Sequence, residues 1–124
     1  MTFIYNKAFI TIASPEISIL VEFYSQLLKQ KPYTYIPNVY AEFDLLGWRL
    51  GIFQPKKESL VEFANSQKST ISICLEVEDL KSAVKYLTAM GYPPPGEIIF
   101  ASHGQEIYAY DPLGNRLILH QSKR

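Results

Sequence analysis

The feature of this sequence that most limits its fold is an internal repeat. Residues 44–53 read DLLGWRLGIF and residues 111–120 read DPLGNRLILH, with Asp, Leu, Gly, Arg and Leu at matching positions. Earlier in the chain, Phe9 matches Ser72 and Phe23 matches Tyr86, so the correspondence extends over most of both halves. A repeat of about 60 residues indicates two copies of one supersecondary unit.

The first half predicts a strand, a helix and three further strands. The run AFITIAS is typical of a strand, and Ser14-Pro15-Glu16 predicts a helix start with the serine as N-cap. Apolar residues at helical spacing continue to Leu28, and Lys31-Pro32 ends the helix. The segments TYIPNV, YAEFDL and WRLGIFQ then predict three short strands.

The second half repeats this order of elements. STISICLEV alternates as a strand does, and Glu78-Asp79-Leu80 begins the helix DLKSAVKYLTAM. Gly91 follows that helix where a left-handed residue is needed, and GEIIFAS, QEIYAYD and NRLILHQ predict three strands. A unit with one helix and one small sheet buries too little apolar surface to stand alone, so two units must pair.

The predicted fold class is therefore α+β, with two βαβββ modules paired around a cavity. We expect a single domain over residues 1–124, with a first module at 1–54 and a second at 70–124. Residues 55–69 are polar and of mixed charge, and they predict a linker with a short helical turn at SLVEFA.

Composition excludes several classes of function. Twelve Lys and Arg residues balance twelve Asp and Glu residues, so no basic surface for nucleic acid or an anionic membrane is expected. The single cysteine, Cys74, excludes a disulfide within the chain and a site with several thiolates. No long apolar run resembles a signal peptide or a membrane span, so we expect a cytoplasmic protein.

The repeated turn itself predicts a structural role. Asp44 and Asp111 can accept hydrogen bonds from the backbone two residues further on, while Gly47 and Gly114 can supply a positive φ. Turns of this type are common without any chemistry. The strand that follows each turn is therefore the more informative element.

Three segments resemble the vicinal oxygen chelate superfamily, which includes glyoxalase I, bleomycin-resistance proteins and extradiol dioxygenases. FITIASPEISILVEFYSQLL is similar to the family's first strand and helix, and SICLEVEDLKSAVKYL to the start of its second module. EIYAYDPLGNRLILHQ is similar to its closing Asp-Pro-x-Gly-Asn motif and last strand. The resemblance implies sheets that curl around a cavity, with helices outside, and a homodimer.

The resemblance also implies a divalent metal held by four side chains, one on the first strand and one on the last strand of each module. Those positions match Phe9, Gly51, Ser72 and Ile118 in this chain. Divalent metals of this kind need imidazole, carboxylate or thiolate donors, and none of the four supplies one. Shifting the alignment by one residue selects only apolar residues. We therefore predict no metal at these positions and no cofactor.

Strand alternation predicts which side chains share the cavity face with the four family positions. The opposite face carries apolar residues such as Leu50, Ile52, Leu117 and Leu119, which are predicted to form the core. The predicted cavity is apolar and aromatic with a few charged groups, as in a binding pocket. Its candidate lining residues are Phe9, Thr11, Arg49, Gly51, Phe53, Ser72, Cys74, Glu76, Arg116, Ile118 and His120.

The polar candidates have alternative interpretations. Arg49 and Arg116 either bind an anionic group of a ligand or are engaged by nearby acids and aromatic rings, with Glu76 as the obvious partner. Cys74 is interpreted as a buried small apolar residue, because nothing next to it in sequence would lower its pKa. His103 and His120, with Glu76 or Glu106, form a hypothetical displaced metal site.

Three functions remain open at this point. The first is a metal-independent protein that sequesters an aromatic or hydrophobic small molecule, as the antibiotic-resistance branch of the family does. The second is a glyoxalase-like lyase or isomerase, or a dioxygenase, whose metal ligands have moved. The third is a protein whose cavity is closed by Phe9 and Phe53 and whose role lies in protein association. The sequence does not identify catalytic residues or the ligand.

Overall fold

The computed structural model describes residues 4, 6–65 and 68–123 of the chain. It divides into two compact units, Met1–Ala64 and Asn65–Arg124. Each unit contains one α-helix and one four-stranded sheet, as the repeat predicts.

The first unit follows the order strand, helix, three strands. Its elements are β1 (Ile10–Ala13), α1 (Ile17–Leu28), β2 (Thr34–Ile36), β3 (Tyr40–Asp44) and β4 (Arg49–Phe53). The strand order across the sheet is β1-β4-β3-β2, with β1 parallel to β4 and the other pairs antiparallel. A 3₁₀ helix at Lys57–Phe63 follows, within the segment predicted as a linker with a short helical turn.

The second unit has the same topology. Its elements are β5 (Ile73–Glu76), α2 (Leu80–Met90), β6 (Ile99–Ala101), β7 (Gly104–Tyr110) and β8 (Arg116–Ser122). The strand order is β5-β8-β7-β6, and β5 runs parallel to β8. The predicted α+β fold with two βαβββ modules is therefore confirmed.

Each helix packs on one face of the sheet of its own unit. In the first unit α1 contacts β3 and β4 and buries Leu20 and Tyr24, while Phe43, Leu50 and Ile52 are fully buried on the sheet. In the second unit α2 contacts β8, and the corresponding buried residues are Leu80, Leu87, Leu117 and Leu119. Removing this apolar surface from water stabilises each unit. The predicted core positions on β4 and β8 are confirmed.

The start of the first helix differs from the prediction. Helix α1 begins at Ile17 with Glu16 as its N-cap, two residues beyond the predicted N-cap Ser14. The Ser14 hydroxyl donates to the Glu16 carbonyl at 2.7 Å and accepts from the Glu16 amide at 3.1 Å. Serine offers such local turns as an alternative to capping. Gly91 follows α2 with a φ of 97°, as predicted.

The two copies of the repeated turn fold differently. In the second copy, Asp111 Oδ1 accepts hydrogen bonds from the amides of Leu113 and Asn115, and the Asn115 side chain also donates to the carboxylate. In the first copy Trp48 replaces that asparagine and has no side-chain amide, and its backbone amide donates to the Leu45 carbonyl. There the chain reverses over Leu46 and Gly47, at φ 56° and 101°, and the Asp44 carboxylate lies 3.9 Å from Arg49 Nε. The predicted role of the aspartate is confirmed for Asp111 only.

Neither α1 nor α2, the two α-helices among the described residues, is long and apolar enough to cross a lipid bilayer.

The difference between the two turns predicts unequal effects of aspartate removal. Asp111→Ala leaves the part-buried amides of Leu113 and Asn115 without their acceptor, which costs about 1–3 kcal/mol. Asp44→Ala is the matched control, since Asp44 is exposed and its ion pair contributes less than about 1 kcal/mol. Urea unfolding of both variants measures the difference. Equal losses of stability would show that the second turn does not depend on its carboxylate.

Candidate functional site

Each sheet has one face that its helix does not cover, and the predicted lining residues lie on these free faces. Pairing places Thr11 beside Gly51, Cys74 beside Ile118, and Glu76 beside His120. The structure therefore brings the candidates together within each sheet as the alternation predicts. Their role in binding a ligand stays a prediction.

On the first sheet a neighbouring side chain fills the space beside Gly51, the residue at which the sequence resemblance implies a last-strand metal ligand. Gly51 is buried and pairs with Glu42 of β3. A Cβ atom at Gly51 would lie 2.7 Å from the Tyr40 hydroxyl and 3.1 Å from the Tyr40 ring. Such distances are shorter than van der Waals contact allows. The phenol of Tyr40 thus takes the space that a ligating side chain at position 51 would need.

Tyr40 belongs to a polar network with Glu42 and Arg49. The Tyr40 hydroxyl donates to Glu42 Oε1 at 2.7 Å, and Arg49 forms a salt bridge with Glu42 Oε2. The guanidinium carbon of Arg49 also lies 3.8 Å from the centre of the Tyr33 ring, in a cation–π contact. Arg49 is therefore engaged by an acid and a ring of its own unit, and the acid is Glu42 rather than the predicted Glu76.

Burial and hydrogen bonding fix the charges in this network. Partial burial, together with the hydrogen bond to Glu42, raises the pKa of Tyr40 to about 12. The hydrogen bond from Tyr40, followed by contacts with Arg49, lowers the pKa of Glu42. At neutral pH the network therefore consists of a neutral phenol, a carboxylate and a guanidinium. Tyr40 and Glu42 were not among the sequence candidates, although alternation in YAEFDL places both on the free face.

The first unit also carries further aromatic side chains. Phe53 meets Phe63 of the 3₁₀ helix edge to face, with ring centres 5.3 Å apart. Phe9 is 42% exposed, and the Lys7 ammonium lies 5.6 Å from its ring centre. Exposed aromatic rings of this kind mark binding surfaces more often than isolated apolar residues do.

In the second unit Arg116 is also engaged internally. Its guanidinium donates to the Ser72 hydroxyl at 2.9 Å and to the Ser69 carbonyl at 2.8 Å. The prediction that Glu76 is the partner of the arginines is wrong, because Glu76 pairs across the sheet with His120. Arg116 lies on β8 beside Tyr110 instead.

The prediction that Cys74 is buried is wrong as well. Cys74 is exposed on the free face of the second sheet. Partial desolvation, with the nearby charges of Glu76 and Glu106, raises the pKa of its thiol. A thiol with a raised pKa is a poor nucleophile at neutral pH. The expectation that nothing lowers this pKa therefore agrees with the structure.

The free face of the second sheet carries a cluster of His103, Glu106 and His120, here called the histidine cluster. One ligand atom from each residue lies within 4.8 Å of the others. The two imidazole rings stack with their centres 5.1 Å apart and their planes at 11°, and His103 Nε2 lies 3.8 Å from Glu106 Oε1. These are the residues that the sequence suggested for a displaced metal site.

Glu76 lies on β5, so that His120 stands between it and Glu106 of β7. Both carboxylate oxygens of Glu76 have hydrogen-bond partners. One carboxylate oxygen is 2.7 Å from His120 Nδ1, and the other accepts from the amide and the hydroxyl of Ser122. These hydrogen bonds, that of His120 first, lower the pKa of Glu76 to about 2. Glu76 therefore remains a carboxylate at neutral pH and accepts a hydrogen bond from His120 Nδ1–H.

Comparison with known proteins identifies the fold. The sequence matches no family model and no curated protein sequence. Among solved structures, a glyoxalase/bleomycin resistance protein from Catenulispora acidiphila is 19% identical, with 94% of this chain and 98% of that chain covered at a TM-score of 0.69. The fosfomycin resistance protein FosX from Listeria monocytogenes is 15% identical, with coverage of 98% and 96% and a TM-score of 0.74.

A glyoxalase-related enzyme from Fulvimarina pelagi is similar over 96% of this chain and 89% of that chain, with 17% identity and a TM-score of 0.74. At these identities the likeness concerns the fold. The chain has the glyoxalase/bleomycin-resistance fold, which confirms the fold that the sequence resemblance implies.

The network around Tyr40 predicts that this tyrosine titrates late. Of the nine tyrosines, Tyr40 should ionise at a pH of about 12, above the ordinary value of 10.0. Because its pKa is raised on folding, its contribution to stability is complete below the unfolded pKa and is lost as the pH rises through about 12. Tyrosinate absorbance during an alkaline titration measures this, and Tyr40→Phe should remove the late step. A titration unchanged by Tyr40→Phe would contradict the assignment.

The close approach of Tyr40 to Gly51 predicts that a side chain at position 51 destabilises the chain, because Tyr40 would have to move. Gly51→Ala should destabilise the chain by about 1–3 kcal/mol through overpacking. Combining it with Tyr40→Phe should restore part of that loss, since the nearest atom to the new methyl group is the hydroxyl oxygen. A double-mutant cycle in urea unfolding measures the coupling. Strict additivity would mean that Tyr40 does not fill this space.

Proposed function

We propose that this chain is a small-molecule-binding protein that takes up an aromatic or hydrophobic ligand on the free face of its first sheet, independently of a metal. The observation that carries the proposal is the Tyr40 phenol at Gly51, in the place of a family metal ligand. The free face of this sheet therefore presents rings and a closed polar network where metal-binding relatives present donors.

The chemistry of the four family positions, two in each unit, supports metal-independent binding. Phe9 and Ile118 carry no donor atom, and Gly51 carries no side chain. The Ser72 hydroxyl accepts a hydrogen bond from Arg116. Neutral hydroxyls are weak ligands for the divalent metals that imidazole and carboxylate bind well.

The closed polar network supports an apolar ligand. Arg49 is held by Glu42 and by the Tyr33 ring, so an anionic ligand group would have to displace an existing ion pair. Breaking a part-buried pair leaves its partner charge uncompensated, which is costly. Stacking of a planar ligand on the exposed rings of Phe9 and Phe63 breaks no ion pair.

The similar structures suggest the first ligands to test. Two of them are described as bleomycin-resistance and fosfomycin-resistance proteins. Sequestration of an antibiotic requires only binding, which agrees with the absence of a metal-binding side chain at Phe9 and Gly51 in the first unit. Within this proposal the chain is a dimer, and light scattering of the purified protein tests that part separately.

A second candidate function is a metal-dependent glyoxalase-like lyase, isomerase or dioxygenase with displaced ligands. The histidine cluster is the observation that favours it, because two imidazoles and a carboxylate are a complete set of protein ligands for a catalytic metal. It requires stoichiometric metal, whereas ligand binding on the first sheet does not.

The proposed function is tested by a thermal-shift screen in the presence of a chelator. Bleomycin, fosfomycin, aromatic antibiotics, quinones and thiol conjugates are the probes. A ligand present at 100 times its dissociation constant stabilises the native state by about 2.7 kcal/mol, which raises the melting temperature by several degrees. The absence of a shift across all these classes would contradict the proposal.

Variants locate the binding surface. Phe9→Ser and Phe63→Ser should each weaken the dissociation constant of a hit by about tenfold, since the stacking area is removed. Val61→Ser is the matched control, because Val61 is an exposed apolar residue of the same 3₁₀ helix. A hit whose affinity all three variants leave unchanged would place the ligand elsewhere.

A further inference from the structure

The histidine cluster combines residues from three places in the second unit. His120 lies on β8, Glu106 faces it from β7 as its cross-strand partner, and His103 lies in the turn between β6 and β7. Two of the three positions are therefore fixed by sheet register rather than by flexible loops. Sites built on paired strands hold their ligands more tightly in place than sites on loops do.

One ring nitrogen of His120 has a hydrogen-bond partner in the described part of the chain, and the other has none. Nδ1 is 2.7 Å from Glu76 Oε1, and a carboxylate can only accept, so Nδ1 carries the hydrogen in the neutral ring. Nε2 then carries the lone pair. It is buried and has no hydrogen-bond partner among residues 4, 6–65 and 68–123. A buried acceptor without a partner is costly unless something that the polypeptide does not supply satisfies it.

From this arrangement we propose that His103, Glu106 and His120 bind a divalent cation of the Zn²⁺ class, and that Glu76 positions His120 for it. Metal-ligating histidines commonly donate their second ring N–H to a carboxylate, which fixes both the tautomer and the ring orientation. Glu76 makes this contact with His120 and is held in turn by Ser122. Glu76 is therefore a positioning residue and not a ligand.

The distances are compatible with closure around a metal. Bonds of about 2.0–2.2 Å from one ion to imidazole nitrogen and carboxylate oxygen place the ligand atoms about 3.5 Å apart. One possible ligand atom of each residue already lies within 4.8 Å of the others, and His103 Nε2 is 3.8 Å from Glu106 Oε1. The remaining adjustment is assigned to the His103 side chain, which is 62% exposed.

The backbone that carries His103 is nevertheless anchored. The His103 carbonyl accepts a hydrogen bond from the Lys123 amide at 3.1 Å, which ties the turn to the chain after β8. Gly104 follows with a φ of 148°, and a Cβ atom there would lie 2.2 Å from the Gln121 carbonyl. Only glycine permits this approach. The turn that carries the exposed His103 is thus held against the end of β8, the strand that carries the half-buried His120.

The ligand number indicates an open site. Structural zinc sites are usually closed by four protein ligands, whereas three protein ligands leave a position for water or a substrate atom. Glu76 cannot serve as the fourth ligand without losing its contacts to His120 and Ser122. The cluster lies in the second unit and uses none of the residues proposed to bind the organic ligand. The metal-binding proposal and the ligand-binding proposal can therefore fail independently of each other.

The test is direct titration of the chelator-treated, dialysed full chain. Isothermal titration calorimetry with Zn²⁺, and the visible spectrum with Co²⁺, should each report one equivalent bound. His120→Asn and Glu106→Gln should weaken the affinity by at least about a hundredfold, as loss of a first-sphere ligand does. His103→Asn should weaken it similarly, and this exposed position allows the variant to fold even if His120→Asn does not. Glu97→Gln, an exposed glutamate outside the cluster, should bind as the parent chain does.

The positioning role of Glu76 has its own readout. Glu76→Gln should weaken Zn²⁺ binding by about 10–100-fold. It should also change the ring-nitrogen NMR shifts of His120 in the metal-free protein, from a fixed Nδ1–H tautomer to a mixture. Absence of one-equivalent binding would overturn the proposal. So would one-equivalent binding that His103→Asn, Glu106→Gln and His120→Asn all leave unchanged, or a Glu76→Gln variant with parental affinity and His120 shifts.

Discussion

The parallel pairing of the first and last strands in each unit is the constraint on which the rest of the structure depends. Because β1 pairs with β4 and β5 with β8, the helix between them must cross over one face of the sheet. That face becomes the core of the unit, and the opposite face stays free. The same pairing sets residues far apart in sequence side by side, as it does Glu76 and His120.

Within this frame the two copies of the unit have diverged in their chemistry. The first copy fills the neighbourhood of its last strand with Tyr40 and an internal ion pair. The second copy carries Ile118 where the sequence resemblance implies a last-strand metal ligand, and His120 lies two residues further on. Since side chains alternate along a strand, a step of two residues keeps a ligand on the same face and moves it along the strand. A donor set can therefore shift within a conserved topology without leaving the free face.

The repeat and its strands were predictable because they rest on periodicity and on turn residues, which are local properties. The sequence predicts the start of helix α1 two residues too early. The reason is that the Ser14 hydroxyl forms hydrogen bonds with the backbone of Glu16 instead of capping the helix. The exposure of Cys74 does not follow from alternation. Alternation predicts on which face of a strand a side chain lies, but not whether another element covers that face. Glu76 was assigned to the arginines because the register that sets it opposite His120 is a tertiary property. Tyr40 was missed for a related reason, as only the structure reveals its contact with Gly51.

The histidine cluster illustrates why residue types alone do not define a site. In the sequence, His103 and His120 lie far apart and show no metal-motif spacing. Antiparallel pairing of β7 and β8 sets Glu106 opposite His120, and Gly104 lets the turn approach the Gln121 carbonyl closely enough to stack the two rings. The glycine carries no donor, yet any side chain at this position would push the turn from β8 and separate His103 from His120. The backbone geometry at Gly104 is therefore as much a part of the cluster as its three ligand side chains.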